Sequence, residues 1–177
     1  MCAQARFRHA EPGLGAHAAA AVRLRPLTAG DVPAVLDVQE PGAIRALAAV
    51  FPQDEHPFPR QDVASRWLEE LADPGNDCSV VVLHGDVVGF AAVRGDEFLH
   101  FGIAAEHWGT GLADAAHDAV LDVLRGRGVQ RSWLKVFAGN GRARRFYEAR
   151  AWRPTGERTW STFSPHPELR LYERDLR

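Results

Sequence analysis

A strand-length run from Glu97 to Ala104 leads through the turn Ala105-Glu106-His107-Trp108-Gly109-Thr110-Gly111 into a helix-length run from Leu112 to Leu124. No other part of the chain restricts its fold as much. A glycine-containing turn between strand and helix aims several backbone N–H groups outward at a helix N-terminus. The helix dipole favours negative charge there, so the turn predicts a site for phosphate oxygens. Glycine belongs in it because a side chain would hold the phosphate away from the backbone.

A second block, Asn140-Gly141-Arg142-Ala143-Arg144-Arg145-Phe146-Tyr147-Glu148, begins 27 residues after Ala113. Together the two blocks resemble the GNAT acetyltransferase superfamily. Trp108-Gly109-Thr110-Gly111-Leu112-Ala113 follows the family's Gln/Arg-x-x-Gly-x-Gly/Ala loop except at its first position, where Trp108 stands for the Gln or Arg. Asn140, Ala143, Phe146 and Tyr147 match the Asn-x-x-Ala-x-x-Phe-Tyr helix, and Ala151-Trp152 matches the Gly-Phe/Trp segment with Ala in place of Gly. The likeness runs from about Val22 to Leu176.

The 177 residues read as one domain over 21–177, preceded by a disordered tail or overlong start at 1–20. A formal net charge of −2 offers no basic field for nucleic acid. No apolar run is long enough to span a membrane, so no membrane partner is expected. Cys2 and Cys78 are far apart, which makes a disulfide unexpected and fits a cytoplasmic location. The histidines show no metal-ligand spacing, so no metal is expected.

Along the chain, Val22–Leu27 alternates as a half-buried strand, and Thr28 with Asp31 forms a helix start. A helix to about Gln39 should be interrupted at Pro41-Gly42, with a short helix at Ala43–Val50 beyond. Phe51–Pro59 reads as a loop, and Asp62–Leu71 as a helix with Val63, Trp67 and Leu71 on one face. Strands are expected at Ser79–Leu83, Val87–Val93, Glu97–Ala104, Ser132–Phe137, Trp152–Glu157 and Glu168–Asp175, with a turn at Gly85-Asp86. A further helix is expected at Gly141–Arg150. The class is α/β (α+β): a mixed central sheet flanked by helices. The resemblance implies that this sheet is splayed, between the strands at Glu97–Ala104 and Ser132–Phe137, around the pantetheine arm of acetyl-CoA.

The resemblance implies acetyl transfer to an amine. A free amine has a pKa of about 10, so neutralising it at pH 7 costs roughly 4 kcal/mol. A carboxylate or imidazole should take that proton, directly or through water. Glu97 opens the strand before the loop, where the family often places its base, and alternation puts it on one face with Leu99, Phe101 and Ile103. A solvated turn carboxylate is the plainer reading of Glu97. His100 is the alternative base, on the opposite face unless a bulge intervenes.

Asn140, Ala143 and Tyr147 share a helix face. Tyr147 is the residue expected to protonate the departing thiolate, against a reading as a core aromatic. Asn140 is expected to hold the loop or the pantetheine, or to cap its helix, or both. The cofactor contacts implied are Ile103 and Ala104, pairing with pantetheine amides, the loop Trp108 to Ala113, and Asn140, Ala143, Phe146 and Tyr147. Arg142, Arg144 and Arg145 would meet the 3′-phosphate or form a solvated face.

The loops Gln53–Pro59 and Arg158–Pro167 are expected to build the acceptor site, with Asp54 and Glu55 drawing a cationic amine and Phe58 or Trp160 covering it. The function expected is direct acetyl transfer from acetyl-CoA to a primary amine of a small molecule in a ternary complex. A protein N-terminus or lysine is the rival acceptor. A catalytically weak CoA-binding sensor is the rival of another class. The oligomeric state stays open, a homodimer included.

Overall fold

The computed structural model describes residues 22–177. The tail expected at 1–20, with Cys2, lies outside the described residues. The strands are β1 (Val22–Pro26), β2 (Asn76–Leu83), β3 (Asp86–Arg94), β4 (Glu97–Ile103), β5 (Arg131–Phe137), β6 (Arg153–Trp160) and β7 (Glu168–Asp175). The α-helices are α1 (Val32–Ala46), α2 (Arg60–Ala72), α3 (Leu112–Gly126) and α4 (Gly141–Glu148). The sheet runs in the order β1-β2-β3-β4-β5-β7-β6.

All neighbours are antiparallel except β4 and β5, which run parallel and are in register at one pair, Glu97 with Trp133. Past that pair the two strands part, which makes the sheet mixed and splayed as expected. Strand alternation divides the core between its two faces. Val80 and Phe90 pack with Val35, Leu36 and Trp67 of α1 and α2. Val81, Val88 and Ile103 pack with Leu112 and Ala116 of α3, and Ala91, Val93 and Phe98 with Leu121, Leu124 and Trp152.

The helix start at Thr28 has the expected reciprocal bonds, although its first turn is a 3₁₀ turn at Ala29–Asp31. Thr28 N–H and Oγ1 both donate to Asp31 Oδ2. The Arg25 hydrogen bonds, then those from Thr28, hold the Asp31 carboxyl far below the usual range.

The structure corrects two local expectations. The first is that α1 is continuous through Pro41. Pro41 removes one backbone hydrogen bond, at a cost of about 3 kcal/mol. Contacts beyond Pro41 offset this: Leu47 N–H donates to Ala43 O at 2.8 Å, and the Arg45 guanidinium lies over the Trp108 ring. The second correction is that the β2–β3 turn is His84-Gly85, one residue earlier than expected, with both φ values positive (53° and 100°). Two left-handed residues match the twist of a two-residue hairpin, and register sets the turn.

Candidate functional site

The site begins with a bulge. His100 pairs with Ala92 and Phe98 with Val93, so Leu99 is an extra residue in β4. A bulge shifts every later side chain by one face. Phe101 and Ile103 therefore pack on the α3 side, while Leu99 packs on the α1–α2 side. The expected shared face of Glu97, Phe101 and Ile103 is corrected: Glu97 and His100 instead line the same cavity.

Neither acid–base candidate is loosely placed. Glu97 is buried, 5% exposed, which overturns its reading as a solvated carboxylate. Its Oε1 lies 3.2 Å from Lys135 Nζ of β5. His100 Nε2 lies 2.8 Å from Glu70 Oε1 of α2, and the Trp67 ring meets the imidazole edge-on at 5.2 Å. If Nε2–H donates to the carboxylate, Nδ1 keeps the free lone pair. Burial opposes the charge on Glu70, but the His100 hydrogen bond and the fields of His100, Arg66 and Arg94 outweigh it, holding the carboxyl below its usual range.

Two cavities adjoin the parted strands. The larger, about 730 Å³, holds Glu97, His100, Glu55, Phe58 and Trp160, and Asp54 does not line it. Its loop is built by Gln53, whose side-chain amide donates to Phe51 O and His56 O and accepts from Phe58 N–H. The smaller, about 590 Å³, gathers Ile103, Trp108, Ala113, Asn140, Ala143 and Phe146, with Tyr147 beside them. The cavities share Leu47, Leu99, His100, Lys135, Phe137 and Leu169, so they meet along one wall.

At the glycine turn, Gly109 and Gly111 have φ of +81° and +88°, and a Cβ on either would meet nothing within 4 Å. Gly109 is exposed and Gly111 half-buried beside the start of α3. Thr110 Oγ1 donates to His107 O at 2.8 Å, bracing the turn. Thr110 and Leu112 N–H have long internal partners at 3.4 Å. Those of Gly109, Gly111 and Ala113 have none among the described residues. Such unpaired donors at a helix start suit an anion. Leu112 itself is a core side chain, 1% exposed.

The strand contacts are narrower than expected. Ala104 N–H donates to Val88 O, and Ala104 O accepts from His107 N–H, so both backbone groups of Ala104 are used inside the chain. Alternation then turns the backbone of Ile103 away from β3 and toward the gap. Trp108 Nε1 donates to Ile103 O at 2.9 Å. The indole that replaces Gln or Arg thus braces the loop against β4. Arg142 lies 4.0 Å and Arg45 5.1 Å from its ring centre.

On α4, Asn140 Oδ1 caps the helix by accepting from Ala143 N–H at 3.0 Å. Tyr147 lies among Phe146, His117 and Trp152. Burial pushes its phenol above the usual range. Its hydroxyl has no hydrogen-bond partner among the described residues. Arg142 and Arg145 line the smaller cavity. Arg144 donates to Tyr172 Oη and Ala138 O, which takes it away from the role considered for it.

Sequence reasoning missed His117, which is wholly buried. Its Nε2 accepts from Trp152 Nε1 at 3.0 Å, and burial lowers its pKa to about 4. It also missed the Arg66–Glu70–His100 group, for which the Arg66/Glu70 helical spacing was the available signal.

Comparison with known proteins matches residues 43–152 to the acetyltransferase (GNAT) family. An uncharacterized N-acetyltransferase of Mycobacterium tuberculosis is 31% identical over 134 residues, covering 72% of this chain and 86% of the relative. The fold is similar to the PaiA N-acetyltransferase of Thermoplasma acidophilum in complex with coenzyme A. That match has a TM-score of 0.65 and 11% identity, covering 87% of this chain and 98% of the other. It is also similar to the spermidine/spermine N-acetyltransferase SpeG of Vibrio cholerae, with a TM-score of 0.64 and 16% identity, covering 90% and 95%.

Proposed function

The chain belongs to the acetyltransferase (GNAT) family, and from that premise we propose that it transfers the acetyl group of acetyl-CoA directly to a primary amine of a small molecule. The observation that carries this reading is the shared wall of the two cavities. One cavity holds the cofactor residues and the other the acid–base candidates, and a thioester and an amine would meet where they join. The coenzyme A and spermidine/spermine named for the two structural neighbours are consistent with donor and acceptor of this kind. Residues 21–177 are taken as one catalytic domain.

In this reading the smaller cavity takes acetyl-CoA. Its pyrophosphate lies on the N–H groups of Gly109, Gly111 and Ala113, and the pantetheine pairs with Ile103 rather than Ala104. Phe146, Ala143 and Asn140 form the wall facing the pantetheine. A backbone N–H of β4 polarises the thioester carbonyl in this reading.

The acceptor enters the larger cavity. His100, oriented by Glu70, takes the amine proton. Glu97 is already engaged by Lys135, so the pair sets the local field and anchors the wall. The amine attacks the thioester carbonyl, a tetrahedral oxyanion forms, and its collapse breaks the C–S bond. Tyr147, kept protonated by burial, gives its proton to the thiolate. The described part of the wall contains no cysteine, and none is needed for direct transfer.

The test is a two-stage assay. Calorimetry with acetyl-CoA measures donor binding, and release of free thiol is then followed across classes of amine. Saturable acetyl-CoA binding with amine-dependent thiol release is expected. Binding without release for any amine would favour a CoA sensor, and no binding would end both readings.

A further inference from the structure

The larger cavity contains a cation whose nearest carboxylate is distant and shared with His100. Lys135 is held by Glu97, and Arg94 Nε donates to Asn76 Oδ1 at 2.7 Å. Arg66, on α2, donates no hydrogen bond among the described residues. Its closest carboxylate oxygen is Glu70 Oε1, 3.6 Å from Nε, and that oxygen already takes His100. Arg66 Nε and Glu70 Oε2 are both buried and unbonded. The guanidinium lies over the Phe163 ring, its Cζ 5.2 Å from the ring centre, and its side chain is 30% exposed. A sheltered guanidinium with its donors unmatched is costly unless something completes it.

From this geometry we infer that the acceptor carries a carboxylate beside its amine, on an apolar frame, and that the Arg66 fork binds that carboxylate. The inference rests on the acetyltransferase reading above. A guanidinium presents parallel N–H donors that match a carboxylate in two bonds. Phe163 lies against one side of it. The wall mixes Glu55, Asp62, Glu70 and Glu97 with Arg66, Arg94 and Lys135. That near-balance suits a zwitterion. A polyamine would set positive charge beside Arg66, and a dianionic phosphate would meet the four acids.

The amine end follows from the helix. Arg66 and Glu70 are one turn apart on α2, and Glu70 holds His100 on the wall shared with the cofactor cavity. Carboxylate clamp and proton acceptor are therefore neighbours, as an α-amino acid requires. Leu47, Phe51, Phe58 and Phe137 supply apolar lining for the side chain. Arg66 is thus a specificity residue, not a participant in bond making.

The experiment uses matched probes: phenylalanine and leucine, each against its amide and its decarboxylated amine, with spermidine as the polycation. Thiol release gives kcat/KM, and calorimetry with CoA present gives affinity independently of turnover. The free amino acids are expected to exceed their decarboxylated partners by ~10²-fold in kcat/KM. Arg66→Met should erase that margin by lowering kcat/KM far more for the free amino acids than for the amines. Arg66→Lys, which keeps the charge and loses the fork, should keep only part of it.

Preference for spermidine or the decarboxylated amines, or an undiminished margin in a folded Arg66→Met, would overturn the inference while acetyl transfer stands. Carboxylate-dependent binding with no thiol release would uphold it while removing the transferase reading. If no probe binds or reacts, the inference is overturned. Should Arg66→Met fail to fold, the Arg66→Lys margin and the wild-type probe ranking decide.

Discussion

Lys135 Nζ stands 3.2 Å from Glu97 Oε1, so the chain's only lysine, on β5, closes on the carboxylate at the head of β4. The contact joins the two strands at the point where they begin to part. It also separates the two candidates for the base. Glu97 has its charge matched, while His100 is backed by a carboxylate of its own.

The first prediction follows from that separation. His100→Ala should lower kcat/KM by roughly 10²-fold at neutral pH and weaken its acidic limb. Raising the pH should recover part of the rate, because more acceptor amine is then neutral. Glu97→Gln should cost less and keep the wild-type pH profile. The reverse ranking, measured with one acceptor across pH, would return the role of base to Glu97.

Tyr147→Phe removes one oxygen from a ring cluster and little packing. The expected result is a fall in kcat of about 10²-fold with acetyl-CoA affinity nearly unchanged, since only leaving-group protonation is lost. Rapid-quench and binding measurements on the same variant separate the two quantities. Full activity would make Tyr147 a packing residue.

His117 predicts an acid-labile core. Burial first, against the Asp118 hydrogen bond, lowers its folded pKa from 6.5 to about 4. The unfolded chain therefore takes up this proton first as pH falls. Stability is complete above about pH 6.5 and declines until about pH 4, by about 3 kcal/mol in all. Urea unfolding at a series of pH values should show the slope, and His117→Gln, which retains an acceptor for Trp152, should flatten it. Identical slopes in both proteins would assign the acid loss elsewhere.

Ala151 carries a backbone penalty that can be removed. Its φ is +61°, in the left-handed region that favours glycine. It closes α4 through bonds from Ala151 N–H to Glu148 O and from Trp152 N–H to Tyr147 O, the 5→2 and 6→1 bonds of a helix end. Ala151→Gly should raise stability by about 1 kcal/mol, less the extra freedom glycine gives the unfolded chain. Chemical denaturation reads this directly, and a lower midpoint would show the unfolded-state term to dominate.

Much of this protein is set within short windows of its sequence. The alternation at Val22–Pro26, the Thr28–Asp31 cap, the glycines ahead of α3 and the Asn140/Ala143/Tyr147 spacing each concern residues within a turn or two of one another. Local backbone preference and periodicity decide these, so the order of elements and the residues gathered at the smaller cavity were legible. The resemblance carried the splay and the family.

Tertiary structure decided the larger cavity. Whether His100 faces Glu97 depends on one extra residue in β4, and a bulge is chosen by pairing with β3 rather than by composition. Pro41 reads as a helix stop until contacts beyond it, such as Arg45 over the Trp108 ring, offset the lost hydrogen bond. Lys135 meets Glu97, and Glu70 meets His100, across 38 and 30 residues of sequence. Distances of that kind are closed only when the sheet and helices assemble, because long-range contacts repay the entropy of ordering the chain together and not one by one. The sequence by itself therefore determined the local elements and their order; the assembled sheet decided which distant side chains meet.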